Sequence, residues 1–257
     1  MRTLHRALVT FLAAALVGTM AAGPAVAQEA PPLPRQHWNF TGPFGTYDRA
    51  SEQRGYQVFK QICANCHSLN MAYYRDLTGI GLSPAQIKAT AASVMVPGLD
   101  ASGQPADRPA LPADHFRAPF PNELAARAAN NGALPPDLSD IVKARVGGAD
   151  YVYGILTGYS KPPAGMKMSP GMNYNEYYPG HQIAMAQMLR GGEVTFADGS
   201  PNTAAAEAHD VVSFLSYISQ PEMEQRKRIG VRMVLFLMVM TGLTYAVKRK
   251  VWADVEH

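Results

Sequence analysis

The chain has 257 residues, of which 47% are hydrophobic, so it is long enough to bury a core in one large domain or two small ones. Its formal net charge of +3 is far from the strongly basic balance of nucleic-acid-binding proteins, which argues against nucleic acid as a partner. Only two cysteines occur, and the loop between them is too short for a useful disulfide cross-link.

Residues 1–27 have the three parts of a secretory signal. Arg2 and Arg6 form the basic start, residues 7–17 are apolar, and Ala25-Val-Ala27 fits a cleavage site. Cleavage after Ala27 would leave 21 basic against 20 acidic residues. The alternative is an uncut membrane anchor, but the apolar run is shorter than the roughly 20 residues that a spanning helix needs.

Apolar residues recur at helical spacing in several later segments, and this pattern predicts a mainly α-helical domain. We predict helices over residues 48–69, 122–130, 138–145, 149–158 and 202–219.

Long loops rich in proline and glycine are predicted between these helices. Eight prolines fall between residues 97 and 136, and proline lacks the amide donor that a helix interior requires. A small hairpin is predicted from Val194, with Asp198-Gly199 as its turn.

A C-terminal transmembrane helix is predicted over residues 229–247, whose nineteen residues would rise about 28 Å in a helix. Basic clusters at 226–228 and 248–250 flank this stretch, so the charge pattern alone does not set its orientation. The alternative is a buried core helix. The predicted organisation is a head domain over 28–224, the span, and a short tail over 248–257.

Cys63, Cys66 and His67 form a Cys-x-x-Cys-His motif. Two thiols at this spacing reach two vinyl groups of one porphyrin, and the following histidine offers its imidazole to the iron. A redox dithiol does not require the histidine, and a structural zinc site needs a second ligand pair, which this chain lacks. We therefore predict one haem c, covalently bound through Cys63 and Cys66, with His67 as an axial ligand.

The sixth iron ligand decides whether such a haem transfers electrons or binds small ligands. Met185 follows a long Pro/Gly-rich loop and precedes the last helix of the head domain, so its loop could cover the distal haem face. Position alone leaves Met168, Met172, Met188 and His181 as alternatives.

The haem propionates need hydrogen-bond donors. Arg127 and Arg145 lie near the middle of the chain, and Tyr151 and Tyr153 carry hydroxyls. The alternative for each arginine is a solvated surface charge.

Longer strings of sequence carry a resemblance to a known family. They include Trp38-Asn-Phe, Arg54-Gly-Tyr-Gln-Val-Phe, Asn130-Asn-Gly-Ala-Leu-Pro-Pro-Asp-Leu-Ser139, Lys143-Ala-Arg145 and Leu156-Thr-Gly-Tyr159. With these strings around the Cys-x-x-Cys-His motif, the whole mature chain resembles the cytochrome c1 family, the haem-c subunit of the cytochrome bc1 complex. The motif alone would not identify the family, whereas the long Asn-Asn-Gly string does.

The resemblance implies a cytochrome c-type fold and roles for particular residues. It implies that Met185 is the sixth ligand, and that Arg145 and Tyr151 approach a propionate. The residues that would line the haem are Asn130, Ala133, Pro135, Pro136 and Leu138.

The resemblance also implies partners and location. The haem would accept an electron from the Rieske iron–sulfur protein and pass it to a soluble or membrane-bound cytochrome c, with cytochrome b and membrane lipid as neighbours. The chain would cross the bacterial inner membrane once, with its head in the periplasm, and would carry no catalytic acid or base of its own. The alternatives are a membrane-anchored cytochrome c that feeds a terminal oxidase, and a haem enzyme or gas sensor with an open sixth position.

Overall fold

The computed structural model describes residues 31–254, so the predicted signal over 1–27 lies outside the described residues. The described part is mostly helical with two small sheets, which confirms the predicted fold class. Its helices are α1 (Arg49–Gln61), α2 (Pro84–Ala92), α3 (Glu123–Ala129), α4 (Gly148–Thr157), α5 (Ala204–Ser219) and α6 (Met223–Val251). Its strands are β1 (Met95–Leu99), β2 (Pro105–Pro109), β3 (Asn173–Tyr174) and β4 (Gln182–Ile183), with short 3-10 helices at Cys63–Asn65, Tyr74–Ile80 and Pro179–His181.

Helices α1 and α5 form the centre of the head domain. Gly55 of α1 faces the carbonyl of Asp210 on α5 so closely that no side chain would fit between them. At the same crossing, Arg54 Nε donates to Asp210 at 2.6 Å and Ser51 Oγ donates to it at 2.5 Å. The buried Phe214 lies beside this polar contact, so the helix pair combines apolar packing with a compensated buried charge.

Three predicted helices are confirmed to within two residues because their starts are fixed locally. Asn122 caps α3 by accepting a hydrogen bond from the amide of Ala125, and Thr203 caps α5 by accepting one from Ala206. Helix α4 begins after Gly147, which has a φ of +91°. Such caps satisfy amides that have no partner inside the helix.

The first predicted helix was expected to continue to residue 69, but α1 ends at Gln61. The side-chain amide of Asn65 donates to the carbonyls of Gln61 and Ile62, at 3.0 and 3.2 Å, and so takes acceptors that a continuing helix would use. The haem-attachment motif therefore starts in a 3-10 turn, Cys63–Asn65, and not on an α-helical face as the sequence suggested.

The helix predicted over 138–145 is wrong, because this segment consists of turns. The amide of Leu138 donates to the carbonyl of Ser68 at 2.9 Å, and the amide of Ser139 donates to the Asp137 carboxylate at 2.9 Å. These bonds fix the start of the segment in a non-helical conformation.

The hairpin predicted over 194–199 is also wrong, because its two strands do not form, although its turn does. Gly199, with a φ of +72°, donates its amide to the carbonyl of Phe196. Antiparallel pairs form elsewhere: β1 pairs with β2 within the proline-rich stretch, with Val96 opposite Arg108, and β3 pairs with β4. The prolines in these strands are compatible with a two-stranded sheet, where each strand has a free edge.

Helix α6 contains the whole predicted span and is long and apolar enough to cross a membrane. Met223 at its start is buried, whereas the apolar side chains from Ile229 onward are exposed. The alternative of a buried core helix is therefore excluded.

Candidate haem site

The two cysteines lie in a tight turn that directly follows α1. The amides of Cys66 and His67 both donate to the carbonyl of Cys63, at 3.1 and 2.9 Å. Both cysteines are free thiols and are only partly exposed. Burial raises the pKa of Cys63 to about 12, so this thiol is protonated at neutral pH. The turn thus presents two unpaired thiols and one imidazole from five consecutive residues.

The imidazole of His67 is oriented by the backbone of a distant loop. Its Nδ1 lies 2.7 Å from the carbonyl oxygen of Pro136. Because a carbonyl oxygen only accepts, Nδ1 must carry the proton, which leaves the lone pair of Nε2 free for a metal. Burial lowers the pKa of His67, which favours the neutral form that binds metals.

Asp137 holds the His67 segment against the loop that follows Pro136. Its carboxylate accepts hydrogen bonds from Ser68 Oγ and the Asn70 amide, both at 2.7 Å, and from the Ser139 amide at 2.9 Å. Burial acts to raise the pKa of Asp137, but these bonds outweigh it and lower the pKa. Asp137 could not be singled out from the sequence, because Ser68 and Asn70 lie 69 and 67 positions away.

The other residues expected to line the haem lie on the same loop. Asn130 ends α3, and its side-chain amide donates to the carbonyl of Ala126 at 2.7 Å. Ala133 donates its amide to the Asn130 carbonyl at 2.9 Å, which closes a turn. Ala133 and Pro135 are partly buried and Leu138 is buried in the core. The structure therefore brings this loop to the Cys63–His67 turn through Pro136 and Leu138.

Arg145 and Tyr151 are near neighbours at the start of α4. Burial raises the pKa of Tyr151, and the positive charge of Arg145 acts against that rise. The guanidinium of Arg145 is exposed and bonds only to the adjacent Ala144 carbonyl among the described residues, so it has donors to spare. Arg127, by contrast, donates to the carbonyl of Gly132 at 3.1 Å and so holds its own loop.

Met185 lies in a segment whose backbone is fixed from two sides. Its carbonyl accepts hydrogen bonds from Tyr159 Oη at 3.0 Å and from the Asn173 side chain at 3.3 Å. The Met185 side chain is partly buried, whereas Met188 and Met172 are exposed. No hydrogen bond within residues 31–254 joins this segment to the His67 turn. These contacts favour Met185 over the two exposed methionines as an inserted ligand.

The rival nitrogen ligand, His181, is held by residues of its own loop and, like His67, keeps its Nε2 free. Its Nδ1 lies 3.3 Å from the carbonyl of Asn175, and its ring stacks on Tyr174 with a centroid separation of 5.6 Å.

These residues fit a covalent haem. Two free thiols on one turn match its two vinyl groups, and an imidazole with a free Nε2 adjoins them. Among residues 31–254, no group of three or more His, Cys, Asp or Glu side chains could hold a metal ion directly. A porphyrin would supply four nitrogen ligands to an iron held by His67.

Comparison with known proteins assigns the chain to a family. The model of the Cytochrome C1 family matches residues 38–255. The chain is 45% identical to "Cytochrome c1, heme protein, mitochondrial" of Saccharomyces cerevisiae, over 87% of this chain and 73% of the yeast protein. It is 40% identical to "Cytochrome c1" of Rhodospirillum rubrum, over 88% of this chain and 89% of that protein.

A third relative is much longer. "Cytochrome b/c1" of Bradyrhizobium diazoefficiens is 44% identical over 86% of this chain, but the match spans only 36% of that protein. The predicted resemblance is confirmed by both kinds of match, and the chain belongs to the cytochrome c1 family.

Proposed function

We propose that this chain is the electron-transfer subunit of a cytochrome bc1 complex, in which its covalent haem c accepts an electron from the Rieske iron–sulfur protein and passes it to a soluble or membrane-bound cytochrome c. The observation that carries the proposal is the pairing of two free thiols with a histidine whose Nδ1 is bonded to the Pro136 carbonyl. Family membership supports the same reading.

When bound, the haem supplies one-electron redox chemistry at its iron. The chain's own residues attach, orient and enclose the group. Cys63 and Cys66 would hold it covalently, while His67 and Met185 would bind its iron. The Asp137 hydrogen bonds keep the His67 turn in register with the loop that orients its imidazole.

A methionine opposite a histidine raises the reduction potential and leaves no open iron position for small ligands. Arg145 and Tyr151 would donate to a propionate, since Arg145 just precedes α4, Tyr151 lies in its first turn, and Arg145 has unused donors. None of the proposed roles requires a catalytic acid, base or nucleophile.

Cytochrome b is the proposed neighbour of α6. The Bradyrhizobium relative is named cytochrome b/c1, which supports such proximity here. Helix α6 would then anchor the head domain beside cytochrome b, with the haem on the periplasmic side of the inner membrane. Purification of the chain in gentle detergent should recover cytochrome b with it. A chain that purifies instead with a terminal oxidase would support the alternative of an anchored cytochrome c.

The proposed ligands can be tested with a matched pair of variants. Met185→Leu and Met188→Leu make the same chemical change three positions apart. Tyr159 donates a hydrogen bond to the backbone carbonyl of Met185 and not to that of Met188. Redox titration should show a markedly lower midpoint potential for Met185→Leu and an unchanged one for Met188→Leu. The ferrous Met185→Leu protein should also bind carbon monoxide, whereas the unmodified protein should not.

Two results would reject these assignments. Ready carbon monoxide binding by the unmodified protein would mean that the sixth position is open, as in a gas sensor. A mature polypeptide whose mass equals that of its amino acids alone would mean that no haem is covalently attached.

A further inference from the structure

A cavity of about 400 Å³ lies where the head domain meets α6. The loop 43–46 forms one wall and the first three turns of α6 form the other. Glu224, Lys227, Arg228, Val231 and Arg232 follow steps of three and four residues, so they share one face of α6. We call this cavity the basal cleft.

The basal cleft carries uncompensated positive charge. Its one carboxylate, Glu224, is already used, because it pairs with Arg49 at 2.9 Å and accepts the Tyr47 amide at 2.8 Å. Arg232 makes no hydrogen bond or ion pair with any other residue of the described chain, and Arg228 reaches only a backbone carbonyl at 3.4 Å. The two guanidinium groups therefore retain most of their donors for an anion.

Lys227 adds a third cation and shapes the opposite wall. Its Nζ donates to the carbonyls of Phe40 and Gly45, at 2.6 and 3.1 Å. These carbonyls are neutral, so the ammonium charge remains in the cleft. The same bonds hold the loop against α6 and leave the Phe44 side chain 80% exposed.

The location of the cleft indicates what fills it. Ile229 begins the apolar stretch of α6, so Arg228 lies just before this stretch and Arg232 within its first turn. A long arginine side chain at that depth extends back to the headgroup layer. An exposed aromatic side chain such as Phe44 fits the same boundary between water and hydrocarbon.

We propose that the basal cleft binds the headgroup of an anionic phospholipid from the leaflet on the head-domain side of the membrane. Arg228 and Arg232 bond the phosphate oxygens in a charge-assisted manner, while Phe44 and Val231 contact the upper acyl chain. The apolar wall distinguishes this ligand from free phosphate, which has no acyl chain to contact Phe44. The proposal concerns the region where the head domain meets α6. It does not depend on the assignment of the haem ligands.

The test uses the full mature chain in detergent micelles, titrated with phosphatidylglycerol that carries a photoreactive headgroup. Cross-linked peptides are then located by mass spectrometry. We expect labelling of the 43–46 loop and of the Arg228–Arg232 turn of α6, and no comparable labelling by the phosphatidylcholine analogue. In the double variant Arg228→Gln/Arg232→Gln, the half-saturating amount of phosphatidylglycerol should rise roughly thirtyfold, since two cations are lost.

Two further variants separate a built site from general attraction. Lys248→Gln/Lys250→Gln removes the same charge from the far end of α6, and it should leave cleft labelling unchanged. Arg228→Lys/Arg232→Lys keeps the charge, and it should restore most of the binding.

Three results would overturn the proposal. Equal labelling by phosphatidylcholine would remove the role of the headgroup charge. Unchanged labelling in the Arg228→Gln/Arg232→Gln variant, with the head domain folded by circular dichroism, would remove the role of the arginines. Cross-linking of the cleft to another protein subunit in the purified complex, in place of lipid, would show that its occupant is a protein.

Discussion

Replacing Gly55 with alanine tests the central helix crossing. A Cβ at this position would lie 1.9 Å from the Asp210 carbonyl oxygen and 2.9 Å from Phe214 Cβ. Ordinary contact requires at least 3.4 Å, so α1 and α5 would have to separate by about 1.5 Å. Both obstacles are backbone or Cβ atoms, and neither can rotate away.

The cost of this shift can be approximated from its parts. Overpacking of a dense core costs about 1–3 kcal/mol, and straining the bonds from Arg54 and Ser51 to Asp210 adds about 2 kcal/mol. Alanine in a helix gains about 1 kcal/mol over glycine. We therefore expect Gly55→Ala to lower the free energy of unfolding by roughly 3 kcal/mol.

Urea unfolding of the mature chain in detergent, followed by far-UV circular dichroism, measures this loss. Gly230→Ala is the matched control, because it makes the same change in a helix where the added Cβ meets nothing within 4 Å. The control should be neutral or slightly stabilising. If Gly55→Ala matched the control, α1 and α5 would not cross at Gly55 as closely as described.

Two further substitutions probe the buried Glu52 and the hydrogen-bonded, partly exposed Asp137. Glu52 is fully buried, and burial raises its pKa to about 8 against the opposing effect of Arg49. Its folded pKa lies above the unfolded value of about 4.3, so its contribution to stability should be lost as the pH rises towards 8. The free energy of unfolding should fall by up to about 1.4 kcal/mol per pH unit. Glu52→Gln should flatten that slope when unfolding is measured from pH 5 to 8. Asp137→Ala removes three accepted hydrogen bonds and should lower the free energy of unfolding by roughly 2 kcal/mol. Asp140→Ala, the control at an exposed carboxylate, should lower it little. Equal losses of stability in the two variants would show that Asp137 does not hold the His67 turn in place.

Those parts of the fold that depend on neighbours in sequence were predictable. Asn122 and Thr203 cap α3 and α5 through amides three residues away, so composition and spacing suffice to find these helices. The exposed α6 was predictable for a similar reason, because its length and hydropathy are local properties. The Cys63–His67 motif is equally local, and its five residues give the attachment chemistry without any tertiary contact.

The errors arose where distant partners decide the conformation. The 138–145 segment has helical periodicity, yet the Ser68 carbonyl takes the amide of Leu138. Asp137 went unnoticed for the same reason, since nothing near it in sequence indicates that it will bond to Ser68 and Asn70. The sequence thus indicated the local Cys63–His67 motif, but not the distant bonds that hold its turn in place.

A small cluster of charged residues connects the head domain to α6. Glu224, in the first turn of α6, forms an ion pair with Arg49, and Arg49 also donates a hydrogen bond at 3.1 Å to the buried Glu52 of α1. Tyr47 adds a hydrogen bond from its hydroxyl to the Ser216 carbonyl of α5. Because these contacts link α1, α5 and α6 directly, α6 cannot reorient without breaking a partly buried ion pair. A head held in this way keeps the Cys63–His67 turn in a fixed orientation relative to α6, which suits the proposed electron-transfer role.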